Sequence, residues 1–179
     1  MDVHVVSPPP RPTKRSWFAL RRVPGRVALM VLRGPVRLYR HDKGWMLGRT
    51  FLMLSHVGRK TGEPHETVAM VLADDHDTGE VVIVSAWGPD TDWVRNLRAG
   101  SAREVRIDRD SFVPRHRFLD EDAALAVSVA FRSRHPMRLR LFGTIFGWGD
   151  MRDDSVLLEF VRKHPFVAIR PADTDAPTR

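Results

Sequence analysis

The chain has 179 residues, a formal net charge of +7, a 42% share of hydrophobic residues and no cysteine. Its length and apolar content suffice for one sizeable core and leave little room for two. Without cysteine there are no disulfides, thiolate metal sites or thiol nucleophiles, and the chain bears no chemical mark of an oxidising compartment, so a cytoplasmic location is expected.

Residues 1 to about 15 contain Pro8, Pro9, Pro10 and Pro12 and too little apolar surface to fold, which predicts a leader without fixed structure. Positive charge is concentrated early, because residues 1–50 hold eleven Lys or Arg against Asp2 and Asp42. Such an arm contacts a membrane surface or nucleic acid, or is a solvated leader shaped by arginine-rich coding. Only Lys14, Lys43, Lys60 and Lys163 are lysines, which gives weight to the coding explanation. No nucleic-acid reading motif accompanies the charge, so nucleic acid is not an expected partner.

From Ser16 to Tyr39 aromatic, aliphatic and arginine residues are interrupted by Pro24-Gly25 and Gly34-Pro35, predicting two short helical pieces. Arg22, Arg26 and Arg33 share a face opposite Trp17, Val27 and Val31. Residues 16–40 therefore either lie peripherally on an anionic inner membrane face or pack across the domain's own sheet. No apolar run approaches the roughly 18 residues that span a bilayer.

The pattern changes at Arg49. Thr50 to Ser55, Glu66 to Ala73, Glu80 to Ala86, Ala102 to Ile107 and Phe112 to Phe118 read as short strands, with turns at Gly58 to Pro64, Asp74 to Gly79 and Asp108 to Asp110. Short links favour antiparallel pairing and closure into a sandwich or barrel. One helix interrupts them, from Asp92 as N-cap through Trp93 to Ala99, with Gly100 at its end. Asp120-Glu121-Asp122 opens a helix to about Arg134, His135-Pro136 breaks it, and further helices follow over Met137 to Trp148 and Asp153 to Lys163. Phe166 to Arg170 returns as a last strand, and the tail from Pro171 reads as loose. The chain thus divides into a leader (1–15), one α+β domain (16–171) of about six antiparallel strands with flanking helices, and a flexible tail (172–179).

Two loops carry candidate chemistry. Gly58-Arg59-Lys60-Thr61-Gly62 sets two cations beside glycines, which suits a phosphate or polyanionic tail; it equally suits a hairpin with solvated Arg59 and Lys60. It is no nucleotide P-loop, since no Gly-Lys-Ser/Thr triplet occurs. Val81 to Ser85 ends in a hydroxyl and leads into Ala86, Trp87, Gly88, Trp93 and Asn96. That segment either offers a flat surface and small donors to a ring system or packs two indoles into the core. The eight histidines lack metal-ligand spacing, and no paired carboxylates or nucleophile elbow are evident.

The order of these features resembles the deazaflavin-dependent nitroreductase family, split β-barrel (Greek-key, FMN-binding-like) oxidoreductases that use coenzyme F420. The resemblance covers Tyr39 to Phe118 best, including Gly44-Trp45 to Leu47-Gly48, and extends loosely to Pro171. It implies an anionic-tail grip at Arg59, Lys60 and Thr61, with His65 where family members often carry a further arginine. It implies a deazaflavin ring against Ser85, Ala86, Trp87 and Gly88, flanked by Trp93 and Asn96. No side chain is then catalytic, because the cofactor carries the chemistry. The implied activity is hydride transfer to a small acceptor such as a quinone, enone or nitroaromatic. FMN is the alternative cofactor, and a monomer or homodimer is expected. A rival reading is a non-catalytic fatty-acid-binding or membrane-surface protein on the same fold, suggested by the run Met137 to Phe142 with Ile145, Phe146 and Trp148.

Overall fold

The computed structural model describes residue 35 and residues 37–172. The leader, residues 16–34 and 36 of the basic segment, and the tail beyond 172 lie outside the described residues. A 3-10 segment (Gly44–Thr50) leads into β1 (Phe51–Val57), β2 (Pro64–Asp75), β3 (Glu80–Val84), α1 (Asp92–Arg98), β4 (Ala102–Ile107), β5 (Asp110–Phe112) and β6 (Pro114–Phe118). Three helices follow, α2 (Glu121–Arg134), α3 (Pro136–Phe146) and α4 (Asp154–Lys163), before β7 (Phe166–Pro171).

The strands pair antiparallel in the order β5-β4-β1-β2-β3-β7-β6. β5 and β6 stand at opposite ends of that order yet are consecutive in the chain, separated by Val113 alone. The sheet must therefore curl until its ends approach, which makes it an antiparallel split β-barrel with flanking helices. The sequence predicts one strand over Phe112 to Phe118 and about six in all, whereas the described residues form seven. Phe112 pairs with Val105 on β4 and Phe118 with Val167 on β7, so two different partners divide one β-prone run. β2 serves both halves: Pro64 to Met70 pair with β1, Val71 to Asp75 with β3, and the register shifts between Val71 and Ala73. Such a bulge bends a long strand from one half of a barrel into the other.

Alternation along the strands builds two cores. Leu52, Leu54, Val81, Ile83, Val105, Ile107, Val167 and Ile169 point inward, where Trp93, Val94 and Leu97 of α1 join them. Val82, Val84, Phe166 and Ala168 point outward and are covered by α2 and α4 through Ala124, Phe131, Leu157, Phe160 and Val161. β3 and β7 are thus buried on both faces, which is why they read as unbroken apolar runs. Asp120 caps α2 by accepting from the Ala123 N–H at 2.8 Å, and Asp153 caps α4 by accepting from the Ser155 N–H at 2.8 Å.

Tyr39 is buried and donates to the Phe51 carbonyl at 2.8 Å, fastening the segment before the barrel to the start of β1. Burial is the main cause that pushes its phenol up to about 12, with Asp108 adding to it and Arg106 opposing. A phenol raised above its unfolded value of 10.0 gives stability that is complete below that value and is lost as pH rises through the folded one. Tyr39→Phe is therefore expected to be about 1 kcal/mol less stable near neutral pH, through loss of the hydrogen bond. It should also lose less stability than the parent above pH 10, as denaturant melts across that range will read.

Candidate functional site

The two loops singled out in the sequence meet at α1. The 58–62 turn closes β1 onto β2, with the Gly58 N–H donating to the Glu63 carbonyl and the Gly62 N–H to the Gly58 carbonyl, each at 2.8 Å. Gly58 is enclosed, because a Cβ there would lie 2.6 Å from Thr61 Oγ1 and 3.0 Å from His65 Nε2. Thr61 and His65 therefore pack against the turn itself. Thr61 Oγ1 also accepts from the Glu63 N–H at 3.3 Å.

Arg59 is tied to α1. Its backbone N–H and its Nη1 both donate to Asn96 Oδ1 at 3.1 Å, and Nη1 reaches Asp92 Oδ1 at 3.2 Å. Its side chain is a quarter exposed, so a held guanidinium still faces solvent. Lys60, next along the turn, is exposed.

At the N-terminal end of the same helix lies the 85–91 loop. Ser85 is fully buried, and its hydroxyl donates to the Gly88 carbonyl at 2.8 Å. It also lies 3.2 Å from Thr91 Oγ1, and Thr91 is the residue before α1. Gly88 has φ +81°, a conformation costly for any side-chain-bearing residue, and there it turns its carbonyl back to Ser85. The Ser85 proton is thus committed within the loop, making this serine a brace for the loop.

The indoles divide as the sequence left open. Trp93 is buried in the barrel core, while Trp87 is 57% exposed at the loop tip. Phe146 of α3 backs Trp87 edge-on at 5.5 Å, and Phe146 stacks on Trp148 at 4.8 Å. Trp148 Nε1 donates to the Ala86 carbonyl at 3.3 Å, fixing the loop from behind. Trp148 lies 4.6 Å from Phe160, which stacks on His164 at 4.2 Å and meets Phe166 edge-on at 6.0 Å. Of the run Met137 to Trp148, Phe142, Phe146 and Trp148 thus turn toward the protein, whereas Met137 and Leu141 face outward.

His56 is a site residue that the sequence reading missed. It is buried beneath the turn, its Nδ1 3.1 Å from Asn96 Nδ2 and its Nε2 3.3 Å from Thr67 Oγ1. His65 lies opposite on β2 and stacks on it at 5.8 Å. Burial first, then the His65 charge, hold its imidazole below the ordinary value, with Asp92 opposing. The signal available in the sequence was the placement of His56 and His65 on the two arms of one hairpin.

Among the described residues no group of three or more His, Asp or Glu side chains is arranged to hold a metal ion. Among the same residues no helix is long and apolar enough to cross a membrane.

Residues 31–128 match the family model of the F420H(2)-dependent quinone reductases. That span includes the turn, the loop and α1, and ends before α3 and α4. Among solved structures, an F420-H2 dependent reductase (FDR-A) is similar at 16% identity, covering 69% of this chain and 96% of its own, with a TM-score of 0.46. A protein described as a domain-swapped dimer is similar at 14% identity, over 80% of this chain and 99% of its own, with a TM-score of 0.47. A pyridoxamine 5'-phosphate oxidase-related, FMN binding protein from Nostoc punctiforme follows at 12% identity, 85% and 82% coverage and a TM-score of 0.37. No curated protein matches the chain.

Proposed function

Since the chain belongs to the F420H(2)-dependent quinone reductase family, and is thus an oxidoreductase whose cofactor is coenzyme F420, we propose that it passes the coenzyme's hydride to a quinone. The observation that carries this reading is that a cationic turn and the loop bearing an exposed indole both join the start of one helix. Arg59 reaches Asp92, the first residue of α1, and Ser85 of the indole loop reaches Thr91 just before it.

The residues present fit the group. Arg59 and Lys60 suit its anionic tail, with Thr61 and His65 shaping the turn, and the small residues Ser85, Ala86 and Gly88 let the loop backbone approach its planar ring. When bound, reduced F420 supplies the hydride, and the quinone takes that hydride and a proton from solvent to become a hydroquinone. The chain's own contribution is orientation and exclusion of water. Asn96 holds the Arg59 guanidinium; Ser85, Gly88 and the Ala86 carbonyl fix the loop; Trp87 and Phe146 give the acceptor an apolar wall. Tyr39 is fastened to β1, so no tyrosine lines this wall, and aromatic contact without a phenol favours a flat apolar acceptor.

Titration with F420, followed by its fluorescence, is expected to show saturable binding; no saturable change would refute the cofactor site. Turnover of the reduced coenzyme with a short-chain quinone, an enone and a nitroaromatic in parallel should favour the quinone. Trp87→Ala is expected to raise KM for the quinone by about threefold to tenfold, the scale of one lost aromatic contact. An unchanged KM would remove Trp87 from the acceptor wall.

A further inference from the structure

The bonds around Asn96 fix its amide orientation and, through it, a proton on His56. Asn96 is 2% exposed, and its Oδ1 faces two groups of Arg59, the backbone N–H and Nη1, that can only donate. The amide nitrogen is thereby directed at His56 Nδ1, 3.1 Å away. A donor aimed at that atom requires its lone pair, so the ring proton sits on Nε2 and is donated to Thr67 Oγ1. Reversing the amide would set donor against donor at Arg59. The arrangement therefore closes only while His56 is neutral.

The surroundings of His56 agree. His65 lies opposite on β2, uncharged Ala102 opposite on β4, and Asp92 of α1 and Arg59 of the turn on the remaining side. Burial and His65 disfavour a charged ring, and their combined effect exceeds that of Asp92.

We infer that Asn96 and His56 are positioning residues for the anion grip: neutral His56 orients the Asn96 amide, the amide fixes Arg59, and a proton on His56 Nδ1 releases it. This rests on the reading that Arg59 grips the tail of the coenzyme. Asn96 then acts on the coenzyme through Arg59, and the loss of grip falls on the acid side of neutrality.

The first test needs no coenzyme. In nitrogen-resolved NMR of the intact protein, His56 should show the Nε2–H tautomer, and the Arg59 backbone amide should shift along the His56 titration curve. An Arg59 amide indifferent to that titration overturns the inference. The second test is F420 titration by fluorescence at about pH 7.5 and about pH 5. Affinity should fall by about tenfold on acidification, the scale of one charge-assisted hydrogen bond. In His56→Asn the side-chain oxygen replaces Nδ1 as acceptor and cannot be protonated, so the ratio of the two affinities should approach the coenzyme's own pH dependence. An unchanged ratio in this variant overturns the inference. Failure of F420 to bind either protein, with Arg59 still following His56 in the NMR titration, would overturn the proposed coenzyme site and leave the coupling of the three residues standing.

Discussion

Arg59→Ala is expected to weaken F420 binding by about 10- to 100-fold while moving the melting temperature little. Charge-assisted hydrogen bonds to an anion contribute about 1.5–3 kcal/mol, which sets the loss in affinity. Stability is spared for two reasons. The Arg59–Asp92 pair is largely solvated on the carboxylate side, Asp92 being 66% exposed, and such pairs contribute about 0–1 kcal/mol. Asn96 Oδ1 also keeps the backbone N–H of residue 59, so no buried acceptor is orphaned. Arg59→Lys should fall between, since an ammonium keeps the charge but lacks the planar fork. Fluorescence titration and thermal melts on the same samples will check both halves; wild-type affinity in the alanine variant would remove the turn from the site.

Phe160→Ala is expected to cost about 3–5 kcal/mol of stability, the range for deleting a buried aromatic ring. Phe160 is 6% exposed and in ring contact with Trp148, His164 and Phe166, so its loss opens the layer between α4 and the outer face of β7. The damage should reach the site, because Trp148 leans on Phe160 and holds the Ala86 carbonyl. Denaturant melts should show the loss, and coenzyme affinity should fall with it even in buffer where the variant is folded. Leu141→Ala, at a side chain 55% exposed, should stay within about 0.5 kcal/mol of the parent. A Phe160 loss as small as that would mean the stack contributes no cohesion.

What the sequence disclosed was mostly local. The helix starts near Asp120 and Asp153, the helix break at His135-Pro136 and the hairpin turns depend on neighbours within a few residues, and each appears close to where expected, the two aspartates serving as N-caps. The split at Val113 was marked only by Pro114, which cannot donate to a ladder; that two strands meet there is decided by β4 and β7, distant in the chain. α1 begins with Thr91 as its N-cap, one residue earlier than the Asp92 cap expected, a shift within the ordinary fraying of helix ends.

The candidate site divides along the same line. That cationic and aromatic loops follow one another is written in the chain, but which indole faces outward depends on the barrel, whose interior takes Trp93 and leaves Trp87. Ser85 carried the right chemistry for a ligand donor, yet its partner, the Gly88 carbonyl, depends on a backbone conformation that composition does not reveal. Metal-ligand spacing carries no signal for His56, whose contacts come from a cross-strand neighbour and a helix residue 40 positions on.

The lone exposed residue joining the outermost strands has a mechanical consequence. Where the cylinder lacks a continuous ladder, it is fastened by the peptide link through Val113, whose carbonyl also accepts the Ala172 N–H at 2.8 Å. Severing or lengthening the chain at that clasp would let the two margins of the wall part, whereas the same surgery in the 76–79 hairpin would leave them joined. A tag inserted at the hairpin is therefore expected to leave the melting temperature near that of the parent, and one inserted at the clasp to lower it, as thermal melts of the two insertions will read.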